Sequence, residues 1–311
     1  MDVSIVIINY NSTDYLLKCL DSIFRFTKEI SFEVIIVDNA SKVFDEKFIL
    51  SKYQGIRIIK NEQNVGFAKA NNQGFNLANG KYTLFLNNDT ILIENTIKNF
   101  FDFAEKYNHD VFVGCQLLNS DYSKQESVVE FPNVWNGFTE NFFLYKIFPQ
   151  SKIFNKYYQN EVELTNPTEV DVIKGAFMFC SSESIRKLNG FDERFFFYSE
   201  ETDLCFRFKK NGGKIYFLPK EKLIHFGGVS TDNNLWFKFK NQTIGKIQFY
   251  QKHFNGFRFI AILIIHFCGL FLRGILFSII GLLTFNKSVF LKGFYFFKQL
   301  FVYPKNLFCE S

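Results

Sequence analysis

Five short apolar runs, rich in β-branched and aromatic residues and separated by segments of helical period, constrain the fold of this chain more than anything else. Val3–Ile8 shows no alternation of apolar and polar positions, so it reads as a strand buried on both faces. Phe32–Val37, Ile56–Ile59, Tyr82–Leu86 and Val111–Leu118 continue the series. Behind Ser12 or Thr13 as a cap, Leu16, Leu17, Leu20, Ile23 and Phe24 recur at helical spacing. Gly66–Ala78 and Ile93–Tyr107 read as further helices. Strands alternating with helices imply an α/β fold built on a doubly wound, mostly parallel sheet.

In such a sheet, ligands bind at the carboxyl ends of the strands. Polar residues cluster where those ends fall. Asn9, Tyr10 and Asn11 follow the first strand, Asp38 and Asn39 the second, and Asn87, Asn88 and Asp89 the fourth. A single Asp after a strand is usually a turn or cap residue; three such clusters are harder to dismiss. No GxGxxG follows the first strand and no GxxxxGKS/T occurs. Dinucleotide binding and P-loop phosphate binding therefore lose their main support.

Order fades between Asn119 and Thr168, a mixed aromatic and polar stretch with Pro132, Pro149 and Pro167, which reads as an irregular insertion or lid. It returns with Val170–Ser181 and a strand at Lys214–Leu218, after which His225 falls in a post-strand loop. Between these lies GFDERFFFYSEETDLCFRFKKNGG, residues 190–213. Ser199 is placed to cap a helix starting at Glu200, which puts Glu200, Glu201 and Asp203 in or beside its first turn. There the helix dipole favours ionised carboxylates, and a carboxylate at the edge of an aromatic pocket suits a general base. The plainer alternative is acid enrichment at a helix start, with Asp203 paired to Arg207 four residues on.

Charge is unevenly spread. From Asn234 onward there are ten Lys or Arg residues and one acid, Glu310, so this tail carries +9 of a chain whose formal net charge is +5. Its basic residues are thinly spaced among Phe, Ile and Leu, which points to an anionic membrane surface and not to nucleic acid. Phe257–Phe285 is strongly apolar, but Arg273 leaves Phe259–Leu272 as its longest uncharged run, short for a span. An Arg at a span's centre costs about 2.5–3.5 kcal/mol. On one helix at about 100° per residue, Arg258, His266, Arg273 and Lys287 fall within roughly 80° of each other. Helices lying in, or dipping into, the membrane interface satisfy this pattern; packing of the helices on the body is the alternative. The six Cys residues lack metal-ligand spacing and read as core residues in a reducing compartment. The N-terminal apolar run is too short for a signal peptide. These readings place the body at the cytoplasmic face of the inner (plasma) membrane. They divide the chain into a body, 1–233, and a membrane-associating helical tail, 234–311, with the body split into halves at 118/119.

Taken in order, SIVIINYN, VIIVDNAS, NVGFAKANNQG, YTLFLNNDT, GFDERFFFYSEETDL and IHFGG resemble the family-2 glycosyltransferases, most closely the bacterial rhamnosyltransferase-like branch that builds surface polysaccharides. The likeness runs from Ser4 to about Ser230. It implies a GT-A fold, inversion at the anomeric centre and a divalent metal, Mg²⁺ or Mn²⁺. It also implies a nucleotide-diphosphate sugar donor (UDP- or dTDP-linked) and a lipid-linked saccharide acceptor. By the resemblance, Asn9, Tyr10, Asn11 and Asp38 hold the nucleoside. Asn64, Gly66, Phe67 and Asn71 close over the nucleotide. Asn87-Asn88-Asp89 occupies the DxD position, so that Asp89 and His225 are the metal ligands. Glu201 is matched to the catalytic base, and Glu200 and Asp203 to acceptor binding. The sequence departs from the pattern at Asn87, which removes one charge from the metal site, and at Glu201, where Asp is commoner. Trp135 and Trp236 could stack on acceptor sugars or serve packing alone. Two other functional classes compete. A nucleotidyltransferase would need a Gly-rich basic loop where this chain has IINYNSTDYL; a non-catalytic scaffold would not need Asp89, Glu201 and His225 together.

Overall fold

The computed structural model describes residues 1–107, 110–155, 165–228 and 234–303; the boundary expected after residue 233 lies outside them. The elements run β1 (Val3–Asn9), α1 (Thr13–Phe26), β2 (Phe32–Asp38), α2 (Glu46–Lys52), β3 (Ile56–Lys60), α3 (Phe67–Asn76), β4 (Tyr82–Asn87), β5 (Thr90–Leu92), α4 (Thr96–Lys106) and β6 (Val111–Leu118). They continue with β7 (Val128–Val129), α5 (Val134–Asn141), α6 (Leu144–Ile147), β8 (Thr168–Glu169), β9 (Val172–Ile173), β10 (Phe177–Ser181), α7 (Ser182–Lys187), α8 (Glu200–Lys210), β11 (Lys214–His225), α9 (Leu235–His253), α10 (Gly256–Leu283) and α11 (Lys287–Gln299).

The chain forms two compact units. The first comprises residues 1–129, 162–196 and 200–230 and contains the main sheet, ordered β3-β2-β1-β4-β10-β6-β11-β5, with β8 also paired to β11. β1 pairs in parallel with β2 and β4, β2 with β3, and β6 with β11; β10 and β5 run antiparallel. This is the mostly parallel sheet that the apolar runs imply. All seven β1 residues are buried, because both faces are covered. Val3, Ile5 and Ile7 join Leu16, Leu20 and Ile23 of α1 in the core. On the other face α3 presses so closely that a Cβ on Gly74 would lie 2.5 Å from Val6 Cγ1.

Three sequence expectations need correction in this unit. The helix expected from Ile93 starts at Thr96, and Thr90–Leu92 is instead a strand paired with β11. β11 runs on to His225, so His225 is a strand residue and not part of a loop. The run was misread because its register slips between Leu218 and Lys222, around Pro219, which has no N–H to give to a ladder. Ser12 precedes α1 but makes no side-chain cap; its hydroxyl bonds Tyr10 O.

The second unit groups residues 130–161 and 197–199 with 231–311, a division different from the expected body and tail. α5 belongs here because it packs on α10. Ile262 lies against Gly137, and Arg273 donates to Glu140 O at 2.7 Å. Lys246 Nζ of α9 pairs with Glu140 Oε1 at 2.6 Å. Arg273 is thus consumed inside the unit and His266 is buried, so the proposed polar stripe does not exist as a solvent face. Lys287 starts a separate helix capped by Asn286. Both Trp residues have packing roles: Trp135 Nε1 donates to Ile153 O, and Lys298 Nζ sits 4.0 Å from the centre of the Trp236 ring.

Candidate active site

The strand ends of the sheet unit are tied together by side-chain amides. Asn88 Nδ2 donates to Asn9 Oδ1 and to Ser12 Oγ, both at 2.7 Å. Asn9 Nδ2 donates to Asp38 Oδ1 at 2.9 Å and to Ser41 Oγ at 3.2 Å, and Asp38 Oδ2 accepts from Ser41 N. All of Asn9, Asp38 and Asn88 are buried. Asn39 extends the tie: its Nδ2 donates to Asn64 Oδ1, and its Oδ1 accepts from Val65 N. Asn71 is buried and donates back to Phe67 O within its own helix.

These bonds sort the residues matched to the nucleotide. Asn9, Asp38 and Asn88 form a frame, while buried Asn71 bonds within α3. Tyr10, Asn64, Phe67 and Asn87 are half-buried and Asn11 is exposed, which leaves their surfaces open to a ligand. Asn11 has a left-handed φ of 52°, and its Oδ1 accepts from Lys42 N, so its turn is fixed from both strands' sides. Gly66 is required. Its φ is 90°, and Phe67 N donates to Phe196 O at 2.7 Å, leaving no room for a Cβ against Phe196.

Antiparallel pairing of Thr90 with His225 brings Asp89 beside a residue 136 positions away. Asp89 Oδ1 and His225 Nε2 are 3.4 Å apart, and Asn87 Nδ2 lies 3.4 Å from the same nitrogen. Sequence reasoning missed the residue that orients this ring. Gln125 Nε2 donates to His225 O and to Asn119 Oδ1, which turns Gln125 Oε1 toward His225 Nδ1 at 3.0 Å. Nδ1 is therefore the side of the ring that meets Gln125, and Nε2 faces the Asp89 carboxylate. An imidazole nitrogen and a carboxylate oxygen facing across a short gap are donor types that suit a divalent cation. A histidine whose second nitrogen is hydrogen-bonded is also the usual arrangement at a metal. Among the described residues no three acidic, His or Cys side chains converge so as to hold a metal ion, so these two would supply only part of a coordination shell.

The acid turn and the turn after β4 both reach the segment that precedes β10. Asn87 N donates to Ala176 O, and the neighbouring Gly175 faces the Glu201 side chain, with a Cβ there 3.5 Å away. α8 starts at Glu200 as expected, but Ser199 has φ 73° and lacks the extended backbone of an N-cap. The three acids separate. Asp203 is fully buried and accepts from Arg207 Nε at 2.7 Å, while Arg207 also holds Leu188 O and Gly190 O. That makes Asp203 a structural residue of α8. Glu200 is 5% exposed, Glu201 is half-buried, and Oε2 of each has no hydrogen-bond partner among the described residues. Burial, and then the neighbouring Glu201 charge, push Glu200 well above the usual carboxylate range. Glu200 is thus the more deeply buried of the two neighbouring acids, and its burial works against the charged form.

The fold and the paired acids define a sugar-transfer unit of GT-A type, and three comparisons narrow that class. The model of the family "Glycosyl transferase family 2" matches residues 4–180. The rhamnosyltransferase WbbL of Escherichia coli K12 is 26% identical over 76% of this chain and 86% of its own length. The N-acetylglucosaminyl-diphospho-decaprenol L-rhamnosyltransferase of Mycobacterium tuberculosis is 23% identical over 73% of this chain and 76% of its own. A crystal structure of GalNAc-T7 with UDP, GalNAc and Mn²⁺ superposes with a TM-score of 0.56 at 16% identity, over 78% of this chain and about half (47%) of that one. The chain belongs to glycosyl transferase family 2, and it is a glycosyltransferase.

The state of Glu200 has a consequence for stability. Its folded pKa lies above its unfolded value, so the folded protein holds a proton that the unfolded chain releases. Stability is therefore full below about 4.3 and falls as pH rises toward the folded value. Urea denaturation across this range is expected to show that fall in the wild type and a shallower one in Glu200→Gln. Identical pH slopes would contradict a raised Glu200 carboxyl.

Proposed function

We propose that this glycosyltransferase moves a hexose, with rhamnose the first candidate, from a UDP- or dTDP-linked donor to a hydroxyl of a lipid-linked saccharide, with inversion, during cell-surface polysaccharide synthesis. One observation carries the reading. Glu201, the half-buried acid with an unpartnered oxygen, faces Gly175, while Asn87, 3.4 Å from the His225 nitrogen that meets Asp89, bonds the next residue, Ala176. Asp89 and His225 would hold Mg²⁺ or Mn²⁺. A divalent cation there neutralises charge on the leaving diphosphate. Tyr10, Asn11, Asn64 and Phe67 face the nucleotide, while the buried amide frame keeps them in place. Glu200 donates its carboxyl proton in a hydrogen bond to the acceptor. Glu201 accepts the proton of the attacking hydroxyl as the oxygen bonds to the anomeric carbon and the sugar–phosphate bond breaks. Attack from the side opposite the leaving group inverts configuration, and one base suffices.

The lipid acceptor is supported by the name of the mycobacterial relative and by the second unit. α10 is 28 residues long and holds an 18-residue stretch with a mean hydropathy of 2.3, enough by length and composition to cross a membrane. It turns at Thr284–Asn286 into α11, and glycines seat the two helices closely: Gly274 meets Phe297, Gly281 meets Phe290 and Gly293 meets Ser278. The outer side of this hairpin is apolar, with Phe257 83% and Phe285 95% exposed. We place it in the interface of the cytoplasmic leaflet, where Arg258, Lys287 and Lys292 can meet anionic headgroups.

Three outcomes follow. Glu201→Gln abolishes transfer yet binds UDP or dTDP normally, whereas Glu200→Gln stays active; wild-type turnover by Glu201→Gln would remove Glu201 as the base. Gln125→Leu frees the His225 ring and weakens Mn²⁺-dependent nucleotide binding by about 10- to 100-fold in calorimetry; equal affinity with and without Mn²⁺ in the wild type would exclude the metal role. Phe271→Glu/Ile279→Glu reduces flotation of the full chain with phosphatidylglycerol vesicles; unchanged flotation would exclude the hairpin face as the lipid contact.

A further inference from the structure

One piece of the sheet unit touches both halves of the proposed chemistry. β10 runs straight into α7, because Ser181 ends the strand and caps the helix, its Oγ accepting from Ser184 N. At the front of this piece, Ala176 O accepts from Asn87 N beside the proposed cation site, and Gly175 faces the Glu201 side chain. At its back, Asn189 and Gly190 have left-handed φ of 58° and 69°, a common way to end a helix. There the carbonyls of Leu188 and Gly190 meet α8.

α8 meets them with one side chain. Arg207 Nε donates to Asp203 Oδ2 at 2.7 Å, Nη1 to Leu188 O at 2.7 Å and Nη2 to Gly190 O at 2.9 Å. All three nitrogens of one planar fork are thus used on three separate acceptors. The Asp203 side chain is fully buried and that of Arg207 is 18% exposed, so water competes little for these bonds. At about 100° per residue, Asp203 lies about 200° from Glu201 around the helix. The fork therefore grips the first turn of α8 from the side away from Glu201. The gripped segment is itself braced. Asn72 of α3 pairs with Phe191 as a neighbouring strand would, Nδ2 donating to Phe191 O and Oδ1 accepting from Phe191 N, both at 2.9 Å. Every one of these residues belongs to the sheet unit.

We propose that Arg207 is a positioning residue for the transfer reaction: by tying the first turn of α8 to the end of α7, it sets where Glu201 stands relative to the cation site at the front of the same strand–helix piece. This rests on the reading of Glu201 as the base. That separation decides whether the attacking hydroxyl lines up with the leaving diphosphate, and a displacement of about 1 Å at a reacting group costs on the order of 100-fold in rate. Lysine at 207 keeps a positive charge for Asp203, but a compact ammonium does not reproduce a planar fork on three acceptors. Nucleotide binding, built on the ends of β1, β2 and β4, does not draw on Arg207.

The test uses the full-length chain. The acceptor is N-acetylglucosaminyl-diphospho-polyprenol, and the donor is whichever UDP- or dTDP-sugar supports wild-type turnover. Arg207→Lys is expected to lower kcat by about 10- to 100-fold and to leave the Kd for UDP or dTDP with Mn²⁺ unchanged. Asn72→Ser, which releases the brace at Phe191 without touching α8, is expected to lower kcat in the same direction and carries the test should Arg207→Lys not fold. Lys209→Met is the control. It removes the ties of the last turn of the same helix to Asp171 Oδ1 and Val170 O, where Phe208, stacked 3.7 Å from Phe112 between ring centres, still holds α8. It is expected to keep wild-type kcat. Full kcat in folded Arg207→Lys would overturn the proposal, as would full kcat in Asn72→Ser where it carries the test, an equal loss in Lys209→Met, or a parallel loss of nucleotide affinity in Arg207→Lys. Glu201→Gln separates the two readings. If it is inactive while Arg207→Lys is fully active, only the positioning role fails; if Glu201→Gln turns over normally, the base assignment fails first.

Discussion

The site depends on a chain of hydrogen bonds between buried side chains, Ser12–Asn88–Asn9–Asp38, continued to the Ser41 backbone N–H and laid across the carboxyl ends of three parallel strands. Parallel strands finish with unpaired backbone groups and no mutual register beyond the ladder. Here neutral amides bridge them, at no cost in buried charge except Asp38, whose two oxygens are both hydrogen-bonded. The bridge fixes the β4–β5 turn that carries Asp89. It also explains why several residues matched to nucleotide binding are wholly buried: they hold the rim on which their half-buried neighbours sit.

Around that frame the acids divide by environment. Asp203 is committed to Arg207 and to the start of α8. Glu200 is withdrawn from water, which pushes its carboxyl well above the usual range, while Glu201 stays half-buried beside Gly175. Neighbouring carboxyls with such different surroundings suit different tasks, one donating a hydrogen bond and one accepting a proton.

Much of this was legible in the sequence. Runs such as Val3–Ile8 are apolar at every position because the strand is covered on both faces, and the start of α8 at Glu200 was marked by its acids. Other features left no local signal. Thr90–Leu92 is too short for a periodicity, and the bulge between Leu218 and Lys222 breaks the pattern of β11, hiding that His225 ends a strand. Gln125 lies in a polar stretch, and its role exists only because Asn119 and His225 O settle which way its amide points. Nothing in the sequence around Arg207 reports that it also meets Leu188 O and Gly190 O, since that contact is tertiary. The grouping of α5 with the tail is likewise set by Glu140, Lys246 and Arg273, each of which reads alone as an ordinary surface charge.

The central claim is a single base, Glu201, acting across the sugar from the cation site at Asp89 and His225. The most direct measurement is the anomeric configuration of the first product, read from proton and carbon couplings by NMR during a turnover too short for equilibration. The account predicts a linkage opposite in configuration to the donor's sugar–phosphate bond. A product that keeps the donor's configuration would require a second nucleophile or front-face attack and would contradict it.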